Sequence, residues 1–274
     1  MPPSNPTRNA LVTGAASGLG RAIAVRLAGD GWHVALADLN ADGCNETKSL
    51  VERAGGTAQV ERLDVRDEQQ WLALRDKLKS EWPQCDLIVN NAGVVASGGV
   101  HETPVADWDW LLSINLRGVI LGCHTFVPWL IENPQRSYLI NMASTAGLIA
   151  AGRMGAYNVS KFGVVGLSET LYAELKRHNV GVTVVCPWFV KTNLLDTGRF
   201  VLPKDKAGGA MLMAQSSLTP EKVADYAVRR MYRGKLYAVT GFRARQMWLM
   251  KRHFPQFFAD FSEWMQRRFM EPRK

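Results

Sequence analysis

A glycine-rich turn near the start of the chain joins an apolar run to an amphipathic segment. The turn covers residues 13–20, with glycines at positions 14, 18 and 20. The apolar run 10–12 before it indicates a strand, and apolar residues at helical spacing over 23–28 indicate a helix. A second apolar run, 33–38, follows. This order of strand, turn, helix and strand predicts a βαβ unit, which requires two parallel strands.

Such a turn suits phosphate binding, because backbone amides at a helix N-terminus can approach a pyrophosphate where no Cβ atom intervenes. The glycines are spaced G-x-x-x-G-x-G rather than G-x-G-x-x-G. A plain tight turn would use the same residues. The strand and helix on either side nevertheless favour a nucleotide site.

Asp38 ends the second predicted strand, where a carboxylate can accept hydrogen bonds from both hydroxyls of an adenosine ribose. The same charge repels a 2′-phosphate. Neither Ser17 nor Leu39 supplies the cation that a 2′-phosphate needs. We therefore expect NAD in preference to NADP, although a strand-end aspartate can also simply cap a turn.

Tyr157 and Lys161 are four residues apart, so a helix would place them on one face. A nearby cation stabilises phenolate and lowers a tyrosine pKa from its usual value of about 10. Such a tyrosine can donate or accept a proton near neutral pH. Ser144, from the end of a different element, could hydrogen-bond the same reacting oxygen. A solvent-exposed helix face would show the same spacing, so the other sequence motifs are needed to decide whether the pair is catalytic.

Taken in order, the motifs resemble the short-chain dehydrogenase/reductase family from about residue 7 to residue 241. The matching residues are Thr13-Gly14-x-x-x-Gly18-x-Gly20, Asp64-Val65, Asn90-Asn91-Ala92-Gly93, Asn115, Ser144 and Tyr157-x-x-x-Lys161. The resemblance implies an α/β fold, a single Rossmann-type doubly wound parallel sheet with helices on both faces. It also implies NAD(P)-linked alcohol–carbonyl interconversion, and a homodimer or homotetramer formed through the helices that carry Asn115 and Tyr157.

The resemblance and the chemistry together assign four catalytic residues. Tyr157 is the expected acid/base, and Lys161 is expected to lower its pKa and to bind the nicotinamide ribose. Ser144 would hold and polarise the substrate oxygen. Asn115 resembles the family asparagine that holds a water linking Lys161 to solvent, or it satisfies backbone in a kinked helix. The expected cofactor contacts are Gly14, Ser17, Gly18, Leu19, Gly20, Asp38, Asp64, Val65, Asn91, Ala92, Gly93, Tyr157, Lys161, Pro187, Val190 and Thr192.

The sequence departs from the family pattern at Trp188, which follows Pro187 where the family usually has glycine. Trp188 either contacts the substrate, as Ser144 and Tyr157 are expected to do, or packs on the core. The apolar, glycine-punctuated stretch 193–219 suggests a lid that excludes water, with 148–154 as the opposite wall. Both stretches favour a large hydrophobic alcohol or ketone.

The segment 242–274 is a basic, aromatic tail. Its eight lysines and arginines against three acids give a net charge of +5, most of the chain's +8. Pro255 is expected to divide it into two short helices, which form a C-terminal helical appendage. The tail could pack on another subunit or close the active site, or it could contact a membrane surface. Nucleic acid is disfavoured because the tail is too apolar for a phosphate groove.

The length of 274 residues suits one Rossmann-fold domain, 9–241, between a frayed N-terminus, 1–8, and the tail. The four cysteines are scattered without C-x-x-C, so we expect neither a metal site nor disulfides, with Cys123 and Cys186 in the core. The chain has no secretory h-region and no long apolar run. These absences indicate a cytoplasmic protein, which the tail could bring to a membrane surface as a peripheral protein.

Two functional classes remain open. The first is an NAD-dependent alcohol dehydrogenase or ketoreductase that interconverts a secondary alcohol and a ketone, with Tyr157 as general acid/base. The second is a non-enzymatic NAD-binding protein that uses its tail for membrane or partner contact. The complete set of Asn115, Ser144, Tyr157 and Lys161 favours the enzyme, because a binding module needs no proton donor.

Overall fold

The computed structural model describes residues 8–270. Most of the expected frayed N-terminus and the last four residues of the tail lie outside this range. Within it, the strands in chain order are β1 Asn9–Thr13, β2 His33–Asp38, β3 Thr57–Arg62, β4 Leu87–Asn90, β5 Ala96–Ser97, β6 Ser137–Met142, β7 Val180–Cys186, β8 Arg199–Phe200 and β9 Tyr237–Val239.

The helices alternate with these strands. They are α1 Gly18–Ala28, α2 Ala41–Arg53, α3 Glu68–Glu81, α4 Val105–Leu112, α5 Gly118–Glu132, α6 Gly155–Leu175, α7 Pro203–Ala214, α8 Pro220–Tyr232, α9 Phe242–His253 and α10 Pro255–Met270. A π-helical turn, Ser113–Arg117, joins α4 to α5.

Seven strands form one parallel sheet in the order β3-β2-β1-β4-β6-β7-β9. The order reverses between β1 and β4, where Val12 pairs with Leu36 on one side and with Val89 on the other. A doubly wound sheet leaves a crevice at the carboxyl ends of its strands at this switch point, and ligands bind there. The predicted fold class is confirmed.

Each face of the sheet is covered by helices whose apolar side chains form a core layer. On one face, α3, α5 and α6 contribute Trp71, Phe126, Val164 and Leu171. On the other, α1, α2 and α8 contribute Ile23, Val51, Val223 and Met231. The nearly continuous burial of β1, β4, β6 and β7 follows from this double coverage.

The cysteines and the long apolar helix are both part of the packed interior. Cys123 and Cys186 are buried in the core, as predicted. Among the described residues, the continuous helical stretch Val105–Glu132 is long and apolar enough to span a membrane by length and composition. Half of its most apolar window is buried inside the protein. Packing against the sheet therefore accounts for its hydropathy.

The predicted C-terminal helical appendage is confirmed. The first of its helices, α9, ends at His253, and Pro255 begins α10. Proline is tolerated in the first turn of a helix, where its missing N–H would have no partner. Pro255 therefore ends one helix and allows the next to start.

A substitution at Trp71 of α3 tests the core layer between this helix and the sheet. Its side chain is fully buried, its indole N–H donates to the Val65 carbonyl at 3.0 Å, and its ring contacts Phe126 edge-on. We expect Trp71→Ala to lower the free energy of unfolding by about 3–5 kcal/mol, measured by urea denaturation. Val105→Ala, at a 74% exposed position, should change it by less than about 0.5 kcal/mol. Equal losses in the two variants would contradict the assigned core.

Candidate active site

The glycine turn lies at the switch point of the sheet, in front of α1. Gly14 has φ +65°, and a Cβ atom there would lie 2.8 Å from Nδ2 of Asn91. A Cβ atom on Gly20 would overlap the carbonyl oxygen of Gly14. Both positions therefore require glycine, because the backbone of the turn approaches its neighbours too closely for any side chain.

The first turn of α1 has no side-chain cap. Ser17 occupies the N-cap position, but its hydroxyl bonds Oδ1 of Asn193 at 3.2 Å instead of capping the helix. The first backbone amides of a helix have no partner within the helix, and they carry partial positive charge. Here they face the crevice, so an anion at this position would be stabilised.

Asn91 and Thr13 hold the turn in place. The Asn91 side-chain amide donates to the carbonyl oxygens of Thr13 at 2.9 Å and Gly14 at 3.2 Å. The Thr13 hydroxyl accepts from the backbone amides of Asn91 at 2.9 Å and Ala92 at 3.1 Å. The motif Asn90–Gly93 is thus a brace for the turn as well as part of the crevice wall.

Asp38 and Asp64 follow neighbouring strands and face the same crevice. Asp38 accepts hydrogen bonds from the backbone amides of Ala16 at 3.2 Å and Asn40 at 3.0 Å. Asp64 forms a salt bridge with Arg66, and hydrogen bonds from that guanidinium lower the pKa of the Asp64 carboxyl. Arg66 also lines the crevice, and the sequence analysis missed it because no family motif includes that position.

Tyr157 and Lys161 lie one turn apart on α6, both almost fully buried, and Ser144 follows β6. Burial raises the pKa of Tyr157, and a side-chain hydrogen bond with Ser144 opposes that rise. The ammonium of Lys161 donates to the Met142 carbonyl at 3.0 Å and lies 5.7 Å from the centre of the Tyr157 ring.

The lower tyrosine pKa expected from the Tyr157–Lys161 spacing is not found in this geometry. Burial lowers the pKa of Lys161 to about 8, because desolvation disfavours its charged form. With this pKa Lys161 is still mostly protonated at pH 7, and its ammonium is bonded to a backbone carbonyl rather than to the phenol. The sequence spacing of Tyr157 and Lys161 predicted that they share one helix face, but it could not predict that both side chains are desolvated.

Asn115 lies in the π-helical turn and is fully buried. Its side chain accepts from the Val94 amide and donates to the Val94 carbonyl, both at 2.8 Å, and also donates to Ser160 at 3.3 Å. Asn115 lies behind the crevice wall rather than on it. It joins Val94, which directly follows the Asn90–Gly93 motif, to α6. The backbone that it satisfies is therefore that of the segment after β4 and not that of its own helix, and the water-holding role stays a prediction.

The crevice opens into a cavity of about 1040 Å³, slightly above the range of roughly 300–1,000 Å³ that is common for ligand sites. Apart from Gly20 and Asn115, every residue predicted for cofactor, catalysis or substrate lines it. Trp188 does so while packing against the core beside Phe189, so its core packing is observed and its contact with the substrate stays a prediction.

The stretch 193–219 forms one side of the cavity through β8 and α7. Ala96 pairs with Arg199, and Ser97 pairs with Phe200. Arg153 bonds Asp205 of α7 through two hydrogen bonds of 2.9 Å, and it also pairs with Glu102. Sequence analysis missed this cluster because its members are far apart in the chain and belong to no motif.

Part of the tail lies against the same cavity. Met247 of α9 and Phe258, Ser262 and Met265 of α10 are among its lining residues. The tail therefore contacts the cavity within its own chain, and its closing role stays a prediction. Its composition alone could not distinguish this arrangement from packing on another subunit or contact with a membrane surface.

Comparison with known proteins gives consistent results. A profile for short chain dehydrogenases matches residues 8–199. The probable oxidoreductase EphD of Mycobacterium tuberculosis is 31% identical over 253 residues, covering 89% of this chain and 43% of that protein. This chain therefore spans less than half the length of that relative. D-threitol dehydrogenase of Mycolicibacterium smegmatis is 35% identical over 238 residues, covering 80% of this chain and 90% of that protein.

A solved structure is also similar. The short chain dehydrogenase/reductase from Burkholderia phymatum, in complex with NAD, superposes with a TM-score of 0.86 at 28% identity and covers 92% of this chain and 95% of that one. The glycine turn at the switch point, the buried tyrosine and lysine, and the sequence profile lead to the same assignment. The chain belongs to the short-chain dehydrogenase/reductase family of nicotinamide-dependent oxidoreductases.

Proposed function

We propose that the protein is an NAD-dependent alcohol dehydrogenase or ketoreductase that interconverts a secondary alcohol and a ketone on a fairly large hydrophobic substrate. The observation that carries this proposal is that Ser144, Tyr157 and Lys161 line the same cavity as the glycine turn. Burying a lysine is costly, and such perturbed groups cluster at functional sites. A non-enzymatic NAD-binding protein would need neither a buried lysine nor a proton donor, which favours the enzyme.

The residues of the crevice fit a nicotinamide dinucleotide. The uncapped amides of α1 and the close approach at Gly14 and Gly20 suit a pyrophosphate. The residues proposed to hold the remaining parts are Asp38 for the adenosine ribose, Asp64 and Val65 for the adenine, Asn91, Ala92 and Gly93 for the central part, Lys161 for the nicotinamide ribose, and Pro187, Val190 and Thr192 for the carboxamide region.

The surroundings of Asp38 support NAD over NADP. Its carboxylate stands at the end of β2, next to an exposed Leu39 and to Ser17, neither of which carries a positive charge. Arg21 is on the adjacent helix, but its guanidinium is bonded to the Ala16 carbonyl at 2.5 Å and to Glu46 at 2.7 Å. Arg66, which also lines the crevice, is paired with Asp64. Among the described residues that line the crevice beside Asp38, a 2′-phosphate would therefore meet a carboxylate and no unpaired cation.

Hydride acceptance and donation are the chemistry that the bound nicotinamide supplies. Tyr157 handles the proton. Because burial raises its pKa, Tyr157 is a neutral phenol near pH 7, the form that donates to a carbonyl oxygen. In the opposite direction Tyr157 must first lose its proton; the phenolate, which the charged form of Lys161 stabilises, then takes the proton of the alcohol. Ser144 hydrogen-bonds the same oxygen as charge develops on it.

The cavity wall supports a hydrophobic substrate. Besides Trp188, its apolar members on the lid side are Leu194, Leu195, Phe200, Met211, Leu212 and Met213. Arg153 and Asp205 also line it, but they neutralise each other. The relative named D-threitol dehydrogenase supports alcohol chemistry, whereas this apolar wall argues against a polyol.

We also propose that the protein is a cytoplasmic homodimer or homotetramer that associates through α5 and α6. Ile120 on α5 and Val159 and Phe162 on α6 are exposed apolar side chains on these two helices. Light scattering after size-exclusion chromatography determines the subunit number. The tail packs on its own chain at the cavity, which favours pocket closure over membrane contact as its role.

The proton-transfer role predicts the effect of Tyr157→Phe. We expect turnover to fall by about 10³-fold while the Kd for NAD changes by less than about twofold, because general acid–base catalysis contributes roughly 10²–10⁴-fold. Absorbance of NADH measures turnover across secondary alcohols graded by size. Tyr172→Phe, on the same helix, is the matched control and should retain activity. Wild-type turnover in Tyr157→Phe would disprove the assignment.

The ribose contact predicts a change in cofactor choice. Asp38→Ala should reduce kcat/KM with NAD by roughly 10–100-fold, the effect of losing hydrogen bonds to a charged group, and should raise the NADP-to-NAD ratio. Asp42→Ala, at an exposed position on α2, should leave that ratio unchanged. Unaltered selectivity in the Asp38 variant would count against the contact.

The close approach at the turn predicts the effect of a single methyl group. Gly20→Ala should weaken NAD binding by more than about 100-fold, because the added Cβ overlaps the Gly14 carbonyl and displaces the turn. Gly166→Ala adds the same group on α6, where no heavy atom of the described residues lies within 4 Å, and should bind NAD normally. Calorimetric titration measures both. The proposed pyrophosphate site at the glycine turn is contradicted if Gly20→Ala binds NAD as tightly as the control.

A further inference from the structure

The first tail helix, α9, is fixed to the Rossmann domain. Ala244 is fully buried, and the Trp248 ring packs against Tyr237 at 4.9 Å between centroids. Arg245 donates to the Val239 carbonyl at 3.0 Å. Lys251 donates to the Leu148 carbonyl at 2.9 Å, at the start of the 148–154 wall. These contacts hold α9 in a defined position beside the cavity.

The second helix, α10, starts after a sharp break and presents one face to the cavity. Phe258, Ser262 and Met265 are spaced four and three residues apart, so they lie on the same face of the helix. Phe258 is 5% exposed, whereas its neighbour Phe257 is 59% exposed. The burial of Phe258 therefore reflects the direction it points in, and not merely its hydrophobicity.

We propose that Met247, Phe258, Ser262 and Met265 form a binding site for the hydrocarbon part of the substrate, which we call the tail subsite. It deepens the proposed function and rests on it, since the same molecule would carry its reacting oxygen to Tyr157. Two methionines and a phenylalanine give an adaptable apolar surface. Ser262 adds one hydroxyl to that surface.

Three cations near the subsite already have partners within the protein. Arg153 is paired with Glu102 and Asp205. Lys251 is bonded to the Leu148 carbonyl, and burial lowers its pKa. Arg245 is bonded to the Val239 carbonyl and to Tyr226. Lys204 of α7 also lines the cavity, so the preference for an alkyl or terpenoid chain rests on the apolar side chains of the tail subsite itself.

A tail that only covers the core would not discriminate between substrates of different length, and this difference gives the test. The full-length protein, saturated with NAD, is titrated calorimetrically with 2-butanone and with 2-decanone. A ketone with oxidised cofactor does not react, so the measurement reports binding alone. The variants are Phe258→Ala, Ser262→Trp and the matched control Phe257→Ala.

We expect wild type to bind 2-decanone more tightly than 2-butanone. Phe258→Ala should weaken the binding of 2-decanone by about tenfold, which corresponds to lost contact with one to two methylene groups. Its Kd for 2-butanone should stay within about twofold of the wild-type value. Ser262→Trp fills the tail subsite, so it should weaken the binding of 2-decanone to a similar extent without opening a cavity. Phe257→Ala should match wild type for both ketones, and all variants should bind NAD normally.

A wild-type protein that binds neither ketone, or an unchanged preference in both Phe258→Ala and Ser262→Trp, would overturn the tail subsite. If Phe258→Ala lowers the melting temperature enough to prevent titration, Ser262→Trp decides alone. Failure of the proposed function has a separate signature, since it appears as retained turnover in Tyr157→Phe. Ketone binding needs no proton transfer, so its dependence on chain length stands or falls independently of that result.

Discussion

The hydrogen bonds between Thr13 and the backbone of Asn91 and Ala92 fix the position of everything else in the site. They join the ends of β1 and β4, the two strands between which the sheet order reverses. The Asn91 side chain completes the connection by holding the glycine turn. Through Val94, Asn115 extends the same connection to Ser160 on α6. The glycine turn and the helix that carries Tyr157 and Lys161 are thereby set in one rigid frame.

Desolvation controls the reactive pair held by that frame. Full burial disfavours the charged forms of both Tyr157 and Lys161, so it raises the pKa of the phenol and lowers that of the ammonium to about 8. At pH 7 the resting pair is therefore a neutral phenol beside a mostly protonated lysine. Charge that develops on the phenol during the reaction interacts strongly with that lysine, since charges in a buried site are weakly screened.

Local patterns in the sequence were enough to predict most of the motif residues that line the cavity. Each motif has a backbone context that can be derived from a few neighbouring residues, as at Gly14, Asp38, Ser144 and Tyr157. The order of these motifs along the chain, which is that of the family, then predicts the parallel sheet. The ion pair between Arg153 and Asp205 could not be found in this way, because it joins elements 52 residues apart. The direction of Phe258 could not be found either, because it depends on the break at Pro255 and on the anchoring of α9.

The hydrogen bond between Ser17 and Asn193 connects the N-terminal end of α1, the proposed phosphate site, to the first residues of the stretch that carries α7. A ligand phosphate that takes over the Ser17 hydroxyl releases Asn193, and with it the start of one cavity wall. Thermodynamic linkage makes such an effect mutual, so a substrate that prefers one position of this wall changes the affinity for the dinucleotide by the same factor. One surface hydrogen bond can thus couple the affinity for the dinucleotide to the position of a cavity wall.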